Sequence, residues 1–139
     1  GHMSMRTYLL LLYERETDLE YWVDAITNRG LSILRDDFLG ACKFCGLPDE
    51  MMVQAVEAIT GLQFNVDTLK QVIRRTFLRG YRLERRQGFT DADYVMPAEA
   101  HKEYPNIDLP YFNTPEFFGK LQARVLQRID EMLVEEGLA

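Results

Sequence analysis

The stretch that decides the fold class is VDTLKQVIRRTFLRGYRLERR, residues 66–86. Apolar residues recur in it at spacings of three and four, which is the period of an amphipathic α-helix. Asn65 or Asp67 can cap its first turn, and Gly88 ends it. Gly80 costs about 1 kcal/mol relative to alanine inside a helix, so we expect close packing there. The face expected to be buried carries Leu69, Val72, Ile73, Thr76, Phe77 and Tyr81.

Helical periodicity extends over three further segments of the chain. The first covers about residues 17–28 and opens with a capping box between Thr17 and Glu20. The other two cover about residues 49–60 and 114–136, and each is followed by a glycine that can end a helix. The faces expected to be buried contain Leu19, Trp22, Val23, Ile26, Met52, Val56, Ile59, Phe117, Leu121, Val125, Ile129 and Leu133.

The remaining segments are less regular. Residues 5–17 fit a strand or a helix, and we favour a helix. Residues 31–44 follow a helix stop at Gly30 and are apolar without a clear period. Residues 89–115 contain four of the five prolines and predict an extended loop. The sequence therefore predicts an all-α fold, an irregular bundle of five or six helices with one long loop at about 89–115.

Composition narrows the classes of function. A length of 139 residues suits one domain, and we expect a single helical domain over 4–139 after a vector scar at residues 1–3. The net charge of -6 argues against nucleic acid, including a DNA-binding role for the Arg-rich helix, and against an anionic membrane. The apolar run at 8–13 is far shorter than the roughly 20 residues of a bilayer span. A cytoplasmic location is the expectation.

Candidate chemistry lies in residues 36–44, DDFLGACKF, where Asp37, Gly40 and Cys42 stand within six residues. A carboxylate can accept hydrogen bonds from a heterocycle, a glycine lets backbone approach it, and a thiolate can ligate iron. The same residues also fit a capping aspartate, a helix-packing glycine and a buried cysteine. Cys45 could be a second thiol near such a site, but we expect it to serve packing only. A C-x-x-C spacing is too short for a useful structural disulfide, and a thioredoxin-type pair needs a βαβ context.

The segment Asp37-x-x-Gly40-Ala41-Cys42 resembles the D-x-x-G-L-C pattern in the last domain of the tungsten-pterin aldehyde ferredoxin oxidoreductases. The resemblance covers about residues 31–138, and several further matches follow in the family's order. They are Ile59-Thr-Gly61, the Arg-rich residues 75–86, Gly88-Phe89-Thr90 with Asp93 and Pro97, and the closing Glu136-Gly-Leu138.

The resemblance implies a role for each matching residue. Asp37 would hydrogen-bond one of two pterins that hold tungsten, and Gly40 and Ala41 would bring backbone close to it. Cys42 would be the fourth ligand of a 4Fe-4S cluster. The implied reaction oxidises an aldehyde to a carboxylic acid and passes electrons through the cluster to ferredoxin, with the hard chemistry belonging to the cofactors.

The chain also departs from that family. The family's other three cluster cysteines, its upstream pterin motif and its catalytic histidine have no counterpart here, and residues 123–128 replace an aromatic motif. Because a cluster needs four ligands, we expect the isolated chain to bind neither cofactor and to be inactive. It would work with upstream domains of the same enzyme, and its uncovered inter-domain face would favour self-association.

Two hypotheses about function follow, and they differ in where they place one cysteine. The redox-domain hypothesis expects Asp37, Gly40 and Cys42 together on a concave, partly exposed face. The alternative, a small helical protein-interaction module without a redox role, expects Cys42 inside the core. For the arginines of residues 74–86 we expect ion pairs or a solvated face, with contact to pterin phosphate or acidic ferredoxin as the sharper possibility.

Overall fold

The computed structural model describes residues 18–42, 45–95 and 114–139 of the chain. Its α-helices are α1 (Leu19–Asp24), α2 (Leu31–Phe38), α3 (Asp49–Thr60), α4 (Val66–Arg86) and α5 (Pro115–Glu135). A π-helical turn (Ala25–Arg29) continues α1, and a 3-10 turn (Asp91–Asp93) follows α4. The described ranges contain no strand, so the predicted all-α class is confirmed. Over these ranges there are four helices of eight residues or more, slightly fewer than the five or six predicted for the chain.

Two sequence predictions fall on parts that are not described. The helix favoured for residues 5–17 lies outside the described residues, as does most of the loop predicted at 89–115. Within the described ranges, no helix combines the length and the apolar content that crossing a membrane would require.

Helix α4 is the centre of the fold. Its first half packs with α2 and α3, and its second half packs with α5. Val72, predicted to be buried, is 49% exposed, whereas Leu78, which was not predicted, is fully buried. The buried face shifts along α4 because the helix contacts different neighbours at its two ends. Its buried side chains are Leu69, Ile73, Leu78 and Tyr81.

The starts of α4 and α5 are each capped by a side chain close in sequence. The side chain of Asn65 accepts a hydrogen bond from the backbone N–H of Thr68, and Thr114 accepts one from Phe117. The predicted bounds of α3, α4 and α5 are confirmed to within a residue.

The burial predicted for Ile59 is wrong, because its side chain is 84% exposed. It lies in the last turn of α3, whose buried residues stand in its first half.

The first helix begins differently from the prediction. Asp18 is the N-cap, and its carboxylate accepts the backbone N–H of Glu20 at 2.9 Å. The predicted partner in the capping box, Thr17, lies outside the described residues. The carboxylate of Glu20 pairs with Arg124 of α5 at 2.8 Å. Trp22 is fully buried between α1 and α5, which confirms its predicted place in the core.

The junction at Gly30 corrects the prediction for residues 31–44. Gly30 has a right-handed φ of −62°, and its N–H donates to the carbonyl of Ala25 at 2.7 Å. A Cβ at this position would lie 2.8 Å from the carbonyl oxygen of Ile26, so close approach of backbone requires glycine. The chain therefore passes through Gly30 directly into the regular helix α2, whereas the sequence had predicted a helix stop and an irregular segment.

Candidate cofactor-binding segment

The segment that carries Asp37, Gly40, Ala41 and Cys42 is the C-terminal end of α2 and the loop after it. Gly40 has a left-handed φ of +65°. The N–H of Ala41 donates to the carbonyl of Asp36 at 2.9 Å, and that of Gly40 donates to the carbonyl of Asp37 at 3.3 Å. This is the hydrogen-bond pattern of a Schellman motif, in which glycine is favoured. The position of Gly40 is thus explained by the way the helix ends.

Other positions that carry the family resemblance also have structural explanations. Gly61 ends α3 with a φ of +72°, and Gly88 follows α4 with a φ of +95°. The backbone N–H and the hydroxyl of Thr90 both donate to the carboxylate of Asp93, at 2.6 and 2.8 Å. These hydrogen bonds cap the 3-10 turn and lower the pKa of Asp93, the backbone donor contributing most. The glycines and Asp93 therefore organise helix ends.

Asp37 and Cys42 have no such explanation. Both side chains are exposed. Among the described residues, no hydrogen bond to the carboxylate of Asp37 is found. Its backbone carbonyl accepts the N–H of Gly40 at the helix end. Ala41 is partly buried against the cluster that joins α2, α3 and α4. The thiol and the carboxylate are therefore presented outward by a helix end that is itself well fixed.

An ionic cluster holds the two ends of the loop together. Arg35 of α2 donates to the buried carboxylate of Asp36 and to Asp49 in the first turn of α3. Its side chain is 11% exposed and that of Asp36 is 3% exposed. Burial opposes the charge of Arg35, but the hydrogen bonds to Asp49 and Asp36 outweigh it and raise the pKa of the guanidinium. Lys70 adds a longer contact to Asp49 at 3.8 Å.

The second cysteine corrects a prediction. Cys45 was expected to serve packing only, but it is exposed. Its backbone N–H donates to the carbonyl of Cys42 at 2.9 Å. Negative charge on Cys42 and a hydrogen bond between the two side chains raise the pKa of Cys45, and Asp36 adds to this effect. The two thiols are therefore neighbours.

A cavity of about 710 Å³ lies beside α2, between α4 and α5. Asp37 and the half-exposed Phe38 line it, but Gly40 and Cys42 do not. Its polar groups include Glu84, whose carboxylate accepts the hydroxyl of Tyr94 at 2.9 Å. Burial and this hydrogen bond raise the pKa of Tyr94.

Gly80 also lines this cavity. A Cβ at Gly80 would meet no atom within 4 Å, so the close packing predicted there is wrong. The glycine faces an open space instead of a neighbouring helix.

Several arginines of α4 form ion pairs, which confirms the expectation of ion pairs or a solvated face for this helix. Arg74 pairs with Glu135 and Glu136, and Arg75 also pairs with Glu136. Arg85 pairs with Asp91 at 2.6 Å. These contacts bind α4 to the end of α5 and to the 3-10 turn.

The described residues do not form a complete metal site. Among residues 18–42, 45–95 and 114–139 there is no group of three or more histidine, cysteine or acidic side chains that could hold a metal ion. A 4Fe-4S cluster takes four cysteine thiolates. Cys42, exposed on a fixed helix end, is suited to supply one ligand to a cluster whose other ligands come from elsewhere.

Comparison with protein-family models, curated proteins and solved structures found no match for this chain. The candidate site therefore rests on its own residues and on the order of its sequence motifs. Sequence reasoning missed the cluster of Arg35, Asp36 and Asp49 and the pairing of the two thiols. The C-x-x-C spacing was a signal for the thiol pair, whereas the contact between Arg35 and Asp49 spans 14 residues and has no local signature.

Proposed function

We propose that this chain is the C-terminal cofactor-binding domain of a tungsten-pterin aldehyde ferredoxin oxidoreductase. One observation carries the proposal. Among the residues that resemble the family, the glycines end helices, whereas the side chains of Asp37 and Cys42 are exposed and take no part in ending a helix. Exposed, outward-facing groups on a fixed helix end are available to a cofactor held by another domain.

The proposed roles follow from the chemistry of each group. The carboxylate of Asp37 would accept hydrogen bonds from the N–H groups of a pterin. The backbone of Gly40 and Ala41 would lie beside that ring, and the thiolate of Cys42 would ligate one iron of a 4Fe-4S cluster. When bound, the tungsten-pterin and the cluster supply the oxidation of an aldehyde to an acid and the transfer of electrons to ferredoxin. We place this activity in the cytoplasm.

The surface beside Asp37 supports docking of upstream domains of the same enzyme. Phe38 is 52% exposed at the edge of the 710 Å³ cavity, which is largely apolar in its lining residues. Apolar surface of this kind is commonly covered in an interface. The isolated chain is proposed to be inactive and to self-associate through this surface.

The alternative function is a small helical protein-interaction module with no redox role. The same cavity and the exposed Phe38 suit a protein partner. The exposure of Cys42 does not favour this alternative, because a cysteine that serves packing alone would be buried.

The proposal is tested by producing the chain joined to its upstream domains and measuring tungsten, iron and aldehyde-dependent reduction of ferredoxin. Asp37→Asn should lower the tungsten content and the activity, because the amide no longer provides two acceptor oxygens. The matched control is Asp67→Asn, an exposed aspartate in the first turn of α4. Full tungsten content in Asp37→Asn would overturn the assigned role of this residue, and absence of tungsten and iron from the joined wild-type protein would overturn the function.

A further inference from the structure

We propose that Cys42 and Cys45 form a reversible dithiol–disulfide pair, an oxidation site in the loop between α2 and α3. The two thiols require no cofactor and no other domain for this chemistry. The inference does not rest on the proposed oxidoreductase function, and because a sulfur in a disulfide cannot ligate iron, the pair forms only in the chain without a cluster.

A backbone hydrogen bond joins the two residues directly. The N–H of Cys45 donates to the carbonyl of Cys42 at 2.9 Å, which closes a turn from residue i to residue i+3. Such turns hold their outer Cα atoms within about 7 Å, and disulfides span Cα separations of about 4.4–6.8 Å. A disulfide between the two residues is therefore compatible with the backbone hydrogen bond that joins them.

An ionic cluster joins the two helices that flank the cysteines. Arg35 links the end of α2, where it also contacts Asp36, to Asp49 at the start of α3. The helix before Cys42 and the helix after Cys45 are therefore held together. Both thiols face solvent, so a small oxidant reaches them without unfolding.

The oxidant is a low-molecular-weight disulfide. The thiolate of one cysteine attacks it, forming a mixed disulfide and releasing one small thiolate. The second cysteine, after losing its proton, attacks the cysteine sulfur of the mixed disulfide and releases the second small thiol. In total the two cysteines lose two protons and two electrons, and the oxidant is reduced to two thiols.

The surroundings favour a reversible bond. A loop of this length contributes little entropic stabilisation, and exposed disulfides are the more easily reduced ones.

The test is incubation of the reduced chain with oxidised glutathione, followed by intact mass and peptide mapping. Wild type should lose the mass of two hydrogens without forming a covalent dimer, and dithiothreitol should restore the original mass. Cys42→Ser and Cys45→Ser should each stop at a single glutathione adduct. A persistent glutathione adduct, a covalent dimer or no change in wild type would overturn the proposal. If a serine variant fails to fold, the cross-linked wild-type peptide containing residues 42–45 decides the question alone.

Discussion

The ionic cluster around Arg35 provides the sharpest test of the fold. Arg35→Met keeps most of the apolar stem but removes the charge, which leaves the carboxylate of Asp36 buried at 3% exposure without its partner. Removing one member of a buried ion pair costs about 3–5 kcal/mol, because the remaining charge is desolvated and uncompensated. Asp49 is 26% exposed and retains Lys70, so it adds little to this cost. We therefore expect the variant to be less stable by about 3 kcal/mol.

The assay is equilibrium unfolding in urea, followed by the helical signal in circular dichroism. With a slope of about 1–3 kcal/mol per M, a loss of about 3 kcal/mol lowers the midpoint by about 1–3 M. The matched control is Lys120→Met, which removes an i,i+4 pair with Glu116 at 65% and 80% exposure. Such surface pairs contribute about 0.3–0.5 kcal/mol, so the control should barely move the midpoint.

A double variant separates the charge from the packing. Adding Asp36→Asn to Arg35→Met removes the uncompensated carboxylate and should recover part of the lost stability. The reasoning is refuted if Arg35→Met unfolds at the same midpoint as the Lys120→Met control.

The remaining predictions concern a helix end and acid stability. Gly40→Ala should cost about 1–2 kcal/mol in urea unfolding, since alanine is strained at a φ of +65°, whereas Gly119→Ala inside α5 should stabilise by about 0.5–1 kcal/mol; equal shifts would contradict the Schellman assignment. The hydrogen bond from Arg128 lowers the pKa of Glu135 below 4.5, and the charges of Arg128 and Arg74 contribute further. The ionised Glu135 therefore stabilises the folded chain fully above that pH, and this stabilisation is lost as the pH falls through the lower pKa of the folded state. Urea unfolding of Glu135→Gln should therefore differ from wild type at neutral pH and converge with it in acid, and a constant difference would contradict this linkage.

Local chemistry made much of the fold predictable from the sequence. Helix ends depend on contacts between residues a few positions apart, so a short sequence pattern is enough to predict them. Examples are the caps at Asn65 and Thr114 and the glycine after α3. The 3.6-residue period likewise identified α4. These features decide where a helix begins and ends.

Packing against distant neighbours could not be predicted in the same way. Ile59 and Val72 fit the helical period, yet both are exposed because the adjacent helices do not cover those positions. Gly30 was expected to stop a helix, but the carbonyl of Ile26 occupies the space that a Cβ would need, and the chain remains helical. Such outcomes depend on which surfaces meet in three dimensions.

The candidate site shows the same division. The sequence singled out Asp37, Gly40 and Cys42, and the structure accounts for Gly40 as a helix end. The roles of Asp37 and Cys42 with a pterin and a cluster stay predictions. The C-x-x-C spacing brings Cys45 near Cys42 in the sequence, but the backbone hydrogen bond between them is seen only in the structure.

The most direct test of the proposed function compares two cysteine variants. The chain joined to the proposed upstream domains is prepared anaerobically and under reducing conditions. The test variant is Cys42→Ser. The matched control is Cys45→Ser, because this cysteine lies three positions away in the same loop and is also exposed. Iron content and the visible absorbance of the cluster are measured in each. The proposal predicts that Cys42→Ser loses or alters the cluster, whereas Cys45→Ser retains it. A Cys42→Ser protein with the iron content and spectrum of wild type would contradict the proposed function.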